Sequence, residues 1–260
     1  MHMKKPKIAC LTTVRTQSSR LPNKTLLQIR GKRVIDHVID RMKNTKKPDL
    51  IILCTSDEPE DDILVTIAKK HGIKYFRGSA KDRLQRMLGA VEKFNLDYIA
   101  TFDADDLFCD PELIDLAITQ MLKDPCDVIK APASLPCGSF AFCISANTLR
   151  EACRIKDTDD TEMFDVYILD KDRFNVRDLV VKNPVFHNDR VRLTLDYQED
   201  FNFFARVFDG LKMNKNIVPL SKILQYVKRK PELAMINFSR HKDYIQKREK
   251  MRLKKKIKKI

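Results

Sequence analysis

The sequence predicts an α/β protein with three layers, in which helices cover both faces of a mostly parallel β-sheet. Short apolar runs that are typical of buried parallel strands alternate with segments whose apolar residues recur at helical spacing. The clearest runs span residues 8–11, 50–54 and 98–102, and each is followed by polar residues and then by a helical pattern. In such a sheet, ligands bind at loops that follow the carboxyl ends of the strands.

Four helical patterns follow strands in the first half of the chain. They span residues 34–42, 61–71 and 82–94, and Pro111 begins the fourth, as a first-turn proline does. A short strand is expected at residues 74–76. This alternation favours right-handed crossover connections between parallel neighbouring strands.

Beyond residue 127 the alternation weakens. Strand-like runs occur at residues 127–131, 140–144, 173–182 and 190–195, and helical patterns occur at residues 146–153, 199–208 and 221–228. We therefore predict a smaller mixed-sheet insertion, at about residues 127–195, within one domain of residues 1–238. Residues 239–260 are expected to form a basic C-terminal tail.

Composition is that of a soluble globular protein. The 260 residues are 43% hydrophobic, which suffices for one large core, and no apolar run is long enough to span a membrane. The apolar run after the basic N-terminus is too short for a signal peptide, so we expect a cytoplasmic protein. Seven cysteines without C-x-x-C spacing argue against a zinc site or a disulfide framework.

The loop after the first strand concentrates cations and hydroxyl groups. Residues 14–24 read VRTQSSRLPNK, and the proline and paired serines exclude a helix. The loop carries Arg15, Arg20, Lys24, Ser18 and Ser19. Guanidinium forks, an ammonium group and hydroxyls together suit a polyphosphate, although on charge alone a solvated basic loop explains the pattern equally well.

The order of residues in this loop resembles the signature loop of the cytidylyltransferase family. The pattern R-x-x-S-S-R-L-P-x-K is similar to that of enzymes that make CMP-activated acidic sugars, including the spore coat polysaccharide biosynthesis protein F group. The resemblance implies that Arg15, Arg20 and Lys24 neutralise the β- and γ-phosphates of CTP, with the hydroxyls of Ser18 and Ser19 as further contacts to the nucleotide. Asn23 replaces the usual glycine, and asparagine tolerates the left-handed backbone that such a loop needs.

Aspartates at two predicted strand ends are candidate ligands for Mg²⁺. Residues 103–106, DADD, suit a cation shared with phosphates, although a helix-capping turn would look the same. The resemblance aligns Asp105 with the family's metal-binding aspartate. It also matches residues 192–200 to the family's R-L-T-x-D-x-x-E-D segment, whose first aspartate, Asp196 here, is the second metal carboxylate. Glu199 and Asp200 are interpreted as residues that cap the following helix.

A third segment is similar to a family motif that lies near the nucleoside. Residues 78–86 match G-S-x-x-D-x-L-x-R. The resemblance implies that Gly78, Ser79, Asp82 and Arg86 contact the nucleotide. Asp82 is also well placed to cap the helix that follows it, and capping alone is the simpler role for it.

On the acceptor side the chain departs from the family pattern. Cys137 stands where the family's P-D-G turn has its aspartate, and Met163 replaces a histidine that often follows the residue matched by Glu162. The resemblance covers about residues 8–238. It implies a Rossmann-like fold of the nucleotide-diphospho-sugar transferase type and CMP transfer from CTP in surface polysaccharide synthesis. The acceptor is expected to be an acidic sugar or a phosphorylated small molecule.

Two other functions compete with this interpretation. An A-type glycosyltransferase shares the nucleotide-binding half and a carboxylate metal motif, but the basic loop favours a triphosphate over a nucleotide-sugar. A nucleic-acid-binding protein would act through the tail, and residues 247–260 have no aromatic side chain to stack on bases. We therefore do not expect a nucleic-acid partner.

The tail carries most of the net charge of +14, because residues 228–260 contain 14 Lys and Arg against 3 Asp and Glu. Leu253, Ile257 and Ile260 would form a narrow apolar stripe if the tail were helical. We expect this stripe to contact a second subunit in a homodimer or an anionic membrane surface. Truncation after Arg240 is accordingly expected to leave turnover within a few-fold of that of the full chain.

Overall fold

A central β-sheet of seven strands carries helices on both of its faces. The computed structural model describes residues 5–18, 20–213, 217–253 and 257–258. In this part of the chain the strands are β1 (Ile8–Thr13), β2 (Gln28–Ile29), β3 (Lys32–Arg33), β4 (Leu50–Ser56), β5 (Lys74–Gly78), β6 (Tyr98–Asp103), β7 (Val128–Lys130), β8 (Phe142–Ser145) and β9 (Val176–Asp178). The helices are α1 (Val34–Met42), α2 (Asp62–Lys70), α3 (Arg83–Phe94), α4 (Pro111–Lys123), α5 (Ala146–Ile155), α6 (Asp165–Ile168), α7 (Gln198–Gly210), α8 (Leu220–Arg229), α9 (Pro231–Met235) and α10 (Arg240–Leu253).

The strands of the main sheet follow the order β5-β4-β1-β6-β8-β7-β9, and β2 pairs with β3 separately. β1 lies at the centre and pairs in parallel with β4 and β6, while β5 continues the parallel part beyond β4. β8 is antiparallel to β6 and to β7, and β9 is parallel to β7. The predicted α/β fold with a mostly parallel sheet is confirmed, and the mixed part extends that same sheet.

Side-chain alternation along β1 explains the three layers. All six residues of β1 are buried. Ile8 and Cys10 face a core shared with α1, α4, α7 and α8, whereas Ala9 and Leu11 face a core shared with α3, α5 and α6. Because successive residues of a strand point to opposite faces, a continuous apolar run is buried on both sides.

Two segments that were predicted to be rich in strand differ in the structure. β9 is only three residues long. Residues 190–195 form no strand, and their backbone bonds to loops instead: Leu193 N donates to Cys137 O at 2.7 Å, and Leu195 N donates to Asp105 O at 2.8 Å. Both sides of the segment are buried from Val191 to Asp196, so the alternation separates apolar from polar contacts within an extended segment that is outside the sheet.

The carboxyl ends of β1 and β6 lie side by side at one edge of the sheet, where Thr13 is paired with Asp103. The loop that leaves β1 turns back through a 3₁₀ turn at Lys24–Leu26. Asn23, just before this turn, has a φ of 52°, the left-handed conformation that was expected of it. Within the described part of this loop, the side chains of Arg15, Arg20 and Lys24 are thereby gathered at the end of the central strand.

The residues that were predicted to form the basic tail begin as a helix, α10. Beyond it, Ile257 forms a single antiparallel bridge with Lys156 at the end of α5. Among the described helices, none has both the length and the apolar character that crossing a bilayer requires.

Candidate active site

A cavity of about 1020 Å³ opens at the edge of the sheet where β1 and β6 end. One end of the cavity, called here the charged end, is lined by Arg15, Arg20, Lys24, Arg83, Arg86, Asp103, Asp105, Asp106 and Asp196. The remaining, mostly apolar lining is called here the apolar end and consists chiefly of Leu135, Cys137, Phe140, Phe142, Met163, Tyr244 and Ile245. It borders the charged end, because the Tyr244 ring lies 5.6 Å from the guanidinium of Arg192, which bonds to Asp196. The cavity therefore joins the loop after β1 to the segment between β7 and β8.

Lys24 joins two carboxylates that come from distant parts of the chain. Its Nζ donates to Asp105 Oδ2 at 2.5 Å and to Asp196 Oδ1 at 2.9 Å. Burial alone would lower the pKa of Lys24, but the two carboxylates raise this pKa above its ordinary value. The two aspartates that the sequence singled out as a pair thus meet at one point, with a lysine ammonium between them.

Arg20 contacts the same oxygen of Asp196. Its Nη2 donates to Asp196 Oδ1 at 2.6 Å, and its guanidinium lies over the ring of Tyr197, 5.4 Å from the centroid. Burial alone would raise the pKa of the Asp196 carboxyl, but Lys24 and Arg20 hold it below its ordinary value. Asp196, which is 3% exposed, is therefore an ionised carboxylate surrounded by protein cations.

A buried ion pair behind Asp196 fixes its position. Arg192 is fully buried and donates through Nε to Asp200 Oδ1 at 2.9 Å and through Nη2 to Asp196 Oδ2 at 3.2 Å. Asp200 also accepts the backbone N–H groups of Asp196 and Tyr197 at 2.9 and 3.0 Å, so it caps α7 as expected. Asn237 Nδ2 donates to Asp200 Oδ1 at 2.9 Å, which ties the segment after α9 to this cluster.

The start of the loop after β1 is held by Asp61, at the entrance to α2. Asp61 Oδ1 accepts the backbone N–H and the hydroxyl of Thr16, both at 2.8 Å, and Oδ2 accepts the hydroxyl of Ser56 at 2.5 Å. Burial alone would raise the pKa of Asp61, but these hydrogen bonds lower it. Ser18 lines the cavity, and its contact with a nucleotide stays a prediction. Ser19 lies outside the described residues.

Two more arginines, Arg15 and Arg83, contact other residues that line the cavity. Arg15 Nη2 donates to Glu162 Oε2 at 2.8 Å, so the first cation of the loop reaches toward the acceptor-side segment and not toward Asp196. Arg83 pairs with Asp103 and lies over the ring of Phe164, 4.5 Å from the centroid. No pattern in the sequence singles out Arg83, because this residue occupies a variable position of the motif at residues 78–86. Its position at the start of α3 brings it to the cavity.

Asp82 supports the wall of the cavity without lining it. Its Oδ1 accepts the backbone N–H of Gln85 at 3.0 Å, which makes it the N-cap of α3. The same oxygen accepts the hydroxyl of Thr161 at 2.8 Å, and the carboxylate also pairs with Lys156. The capping role that the sequence favoured is thus what the structure shows, and a nucleotide contact by Asp82 stays a prediction.

Of the four residues for which the motif implies a nucleotide contact, Gly78, Ser79, Asp82 and Arg86, only Arg86 lines the cavity. Its Nη1 donates to the backbone oxygen of Ser79 at 2.5 Å, and burial lowers the pKa of Arg86 to about 10. Gly78 lies against this side chain, because a Cβ there would be 3.0 Å from Phe76 and 3.5 Å from Arg86 Cγ. Gly78 and Ser79 therefore position Arg86, and their contact with a nucleotide stays a prediction.

At the apolar end, Cys137 and Met163, the two departures from the family pattern, both face the cavity. Burial raises the pKa of the Cys137 thiol to about 12, so this group is an uncharged, weakly polar surface. Lys130 also reaches this end and pairs with Asp178 on β9. The apolar end thus offers shape and apolar contact more than charge.

The first two turns of α10 close this end with His241, Tyr244 and Ile245. Arg240 attaches the helix to the protein, since it donates to Glu199 Oε1 at 2.8 Å and lies 4.6 Å from the centroid of the Tyr197 ring. The tail was expected to be separate from the site. This expectation needs correction, because the residues that follow Arg240 form part of the cavity wall.

A family model described as cytidylyltransferase matches residues 9–255 of the chain. The chain belongs to the cytidylyltransferase family. It is therefore a nucleotidyltransferase, as the loop after β1 had indicated, and the match continues through α10. The cations and carboxylates of the charged end belong to an enzyme of this family.

Individual relatives agree with the assignment to cytidylyltransferases. The chain is 27% identical to the spore coat polysaccharide biosynthesis protein SpsF of Bacillus subtilis, over 87% of this chain and 96% of that protein. A solved cytidylyltransferase from Leptospira borgpetersenii covers 88% of this chain and 97% of its own, with 22% identity and a TM-score of 0.79. A CMP:2-keto-3-deoxy-manno-octonic acid synthetase solved with CTP covers 79% and 99%, with 15% identity and a TM-score of 0.61. The two solved structures show the same fold.

The charged end of this cytidylyltransferase fits a divalent cation. Asp105 and Asp196 contact the same ammonium group, so their oxygens are close enough to share one ion. No group of three or more His, Cys, Asp and Glu side chains within the described ranges is arranged to hold a metal. Two carboxylates suit Mg²⁺, whose remaining ligands are commonly phosphate oxygens and water.

The neighbouring carboxyl groups contribute less negative charge than their number suggests. Burial raises the pKa of Asp103 against the opposing effect of Arg83. Burial, together with Asp105 and Asp103, raises the pKa of Asp106 well above its ordinary value. Asp196, by contrast, keeps a lowered pKa. Asp105 and Asp196 are therefore the better candidates for ligands.

Proposed function

We propose that this enzyme transfers CMP from CTP to a sugar acceptor and releases pyrophosphate. The observation that carries the proposal is the meeting of Lys24 and Arg20 with Asp105 and Asp196 at the end of the central strand. Such a site can hold a triphosphate through its cations and a divalent cation through its carboxylates. The CTP complex of a protein with the same fold and the role of SpsF in polysaccharide synthesis support this choice of substrates.

In the proposed reaction, Arg20 and Lys24 bind the β- and γ-phosphates, with Arg15 and Ser18 on the same loop. An acceptor oxygen attacks the α-phosphorus, forming one P–O bond as the bond to the bridging β-oxygen breaks. Pyrophosphate leaves with that electron pair, and the proton of the attacking acceptor hydroxyl passes to water. Mg²⁺, held by Asp105 and Asp196, would neutralise phosphate charge. The chain's contribution is to position the phosphates and stabilise their charge.

The acceptor is proposed to enter from the apolar end. Cys137, Met163 and the start of α10 line this part of the cavity. An acidic sugar or a phosphorylated small molecule is the acceptor class that the family resemblance implies. Because a CTP-dependent enzyme works where nucleoside triphosphates are held, we also propose a cytoplasmic location.

Pyrophosphate release, measured with each of four nucleoside triphosphates against a panel of acidic sugars and phosphorylated small molecules, tests the proposal. We expect CTP with Mg²⁺ to support turnover and the other three triphosphates to do so poorly. Arg154 is exposed and lies outside the cavity, so Arg154→Ala is the matched control for Arg20→Ala in the loop after β1. The control should behave as the unchanged enzyme. Preference for another triphosphate, or binding of CTP that is insensitive to changes in the loop, would contradict the assignment.

A further inference from the structure

Lys24 lies where a shared cation would contact the two candidate ligands. Its Nζ is within hydrogen-bonding distance of one oxygen of Asp105 and one of Asp196, at 2.5 and 2.9 Å. The side chain of Lys24 is 14% exposed, and that of Asp196 is 4% exposed, so water screens this contact little. A divalent cation and this ammonium group would therefore compete for the same carboxylate oxygens.

The charges around this point are already balanced by the protein. Arg20 contacts the same Asp196 oxygen as Lys24, at 2.6 Å, so two cations face the two carboxylates. Arg192, the third cation on Asp196, is compensated by Asp200. A divalent cation that arrived alone would have to displace Lys24 and leave its ammonium group buried among like charges, which is unfavourable.

A triphosphate changes this balance. It brings several anionic oxygens to the loop that carries Lys24 and Arg20, and hydrogen bonds between charged groups are strong. The backbone of Lys24 is fixed by the 3₁₀ turn, but its four-carbon stem can turn from the carboxylates toward a phosphate. Asp105 and Asp196 would then lose a counter-charge at the same moment as the phosphates require one.

We propose that Lys24 holds the cation position of the nucleotide-free enzyme, so that the divalent cation enters together with CTP and does not bind first. The inference rests on the proposed function, because it assigns Asp105 and Asp196 to the metal. Lys24 then acts twice, first as a counter-charge to the carboxylates and afterwards as a ligand of the phosphates. Binding of free metal by the nucleotide-free enzyme is correspondingly weak.

A titration of the nucleotide-free full chain with Mn²⁺ tests this inference. Binding is measured as the decrease in the electron paramagnetic resonance signal of the free ion. We expect Lys24→Met to bind Mn²⁺ at least about tenfold more tightly than the unchanged protein, since one charged competitor has been removed. Lys24→Arg, which keeps a cation, should stay near the unchanged protein. Lys32→Met removes another lysine that pairs with an aspartate, Asp40, outside the cavity, and should have no effect.

The double variant Lys24→Met with Asp105→Asn should lose the gained affinity, which locates the ion at these carboxylates. Tight Mn²⁺ binding by the unchanged nucleotide-free protein that Asp105→Asn abolishes would overturn the inference, as would a Lys24→Met protein that folds without any gain. Folding of each variant is checked by circular dichroism. Failure of the proposed function would show separately, as absence of CTP-dependent pyrophosphate release, because the Mn²⁺ measurement uses no nucleotide.

Discussion

The two ends of the cavity are built on different physical principles. At the charged end, Asp196 is bonded to Lys24, Arg20 and Arg192, and through Arg192 to Asp200. At the apolar end, Cys137, Met163 and residues of α10 contribute mainly apolar contact area to the cavity.

Because of this difference, we expect substitutions at the charged end and at the apolar end to have different effects. Removing one group from the charged end leaves its partners buried without their counter-charge, so binding and folding are both affected. Removing one group from the apolar end takes away mainly its own contact area. We therefore expect changes at the charged end to be large and shared among functions, and changes at the apolar end to be smaller and confined to the acceptor.

The largest effect is expected for Asp105→Asn and Asp196→Asn, which should each reduce Mg²⁺-dependent turnover at least about a thousandfold, because a metal ligand is lost. Their stabilities should differ. Asp105 has a side chain that is 25% exposed, whereas Asp196 is buried among three cations, and breaking such a pair costs about 3 kcal/mol. Pyrophosphate release and urea unfolding measure the two effects; near-normal turnover in either variant would remove that residue from the metal site.

Arg20→Ala comes next. It should weaken CTP binding by about 1.5–3 kcal/mol, because a charge-assisted contact with phosphate is lost. Calorimetric titration of CTP measures the change, with Arg154→Ala on the surface of α5 as the matched arginine control. Unchanged CTP affinity in Arg20→Ala would mean that the loop after β1 does not hold the triphosphate.

Asp61→Ala should weaken CTP binding roughly tenfold, although Asp61 does not line the cavity, because the loop after β1 loses its anchor at Thr16. CTP titration of this variant and of Asp62→Ala, an exposed neighbour, makes the comparison. Equal affinities in the two variants would show that the loop keeps its shape without Asp61.

The same carboxyl predicts a pH dependence of folding. Because the pKa of Asp61 is lowered in the folded protein, its stabilising contribution is complete above the unfolded value of about 3.9 and is lost as the pH falls through the folded value. The difference in unfolding free energy between the unchanged protein and Asp61→Ala should therefore shrink below about pH 4. Urea unfolding at neutral and acidic pH measures it, and a constant difference would contradict the lowered pKa.

The smallest effect is expected at the apolar end, for Tyr244→Ala. The KM of the acceptor should rise several-fold while CTP affinity changes little, because the Tyr244 ring supplies contact area to the cavity. The ring also lies 5.6 Å from the Arg192 guanidinium, but hydrogen bonds to Asp196 and Asp200 hold that arginine in place. Lys242→Ala, exposed on the same helix, is the control. Truncation after Arg240 should act in the same direction, in place of the near-normal turnover that the tail's composition suggested. If CTP affinity fell instead, the two ends would not be separable.

Sequence patterns predicted the central fold well, because parallel strands that are buried on both faces appear in the sequence as continuous apolar runs. The apolar runs of β1, β4 and β6 and the helical spacing of α1 to α4 required no tertiary knowledge. The loop after β1 was also recognisable from the sequence, because its residue types and their order resemble the signature loop of the family to which the chain belongs. The meeting of Asp105 with Asp196 followed from the family resemblance, and the structure brings the two together.

The remainder of the site was hidden because it depends on contacts across the chain. Arg83 and Asp61 carry no local pattern, and only the fold brings one to Asp103 and the other to Thr16. The prediction for the tail rested on its net charge. In the structure, Arg240 forms an ion pair with Glu199 and lies over the ring of Tyr197, and Tyr244 lines the cavity. Composition reports the average environment of a segment and not the place of its individual side chains.

The hydrogen bond from Asn237 to Asp200 has a consequence for synthesis on the ribosome. The central strands and the loop after β1 emerge early, but the cluster that fixes Asp196 needs a side chain more than two hundred residues later. The hydrogen bond itself spans 37 residues, from Asp200 to Asn237, and it cannot form until residue 237 has left the ribosome. A nascent chain that stalls before residue 237 would display its sheet and its cations with the carboxylate cluster still incomplete.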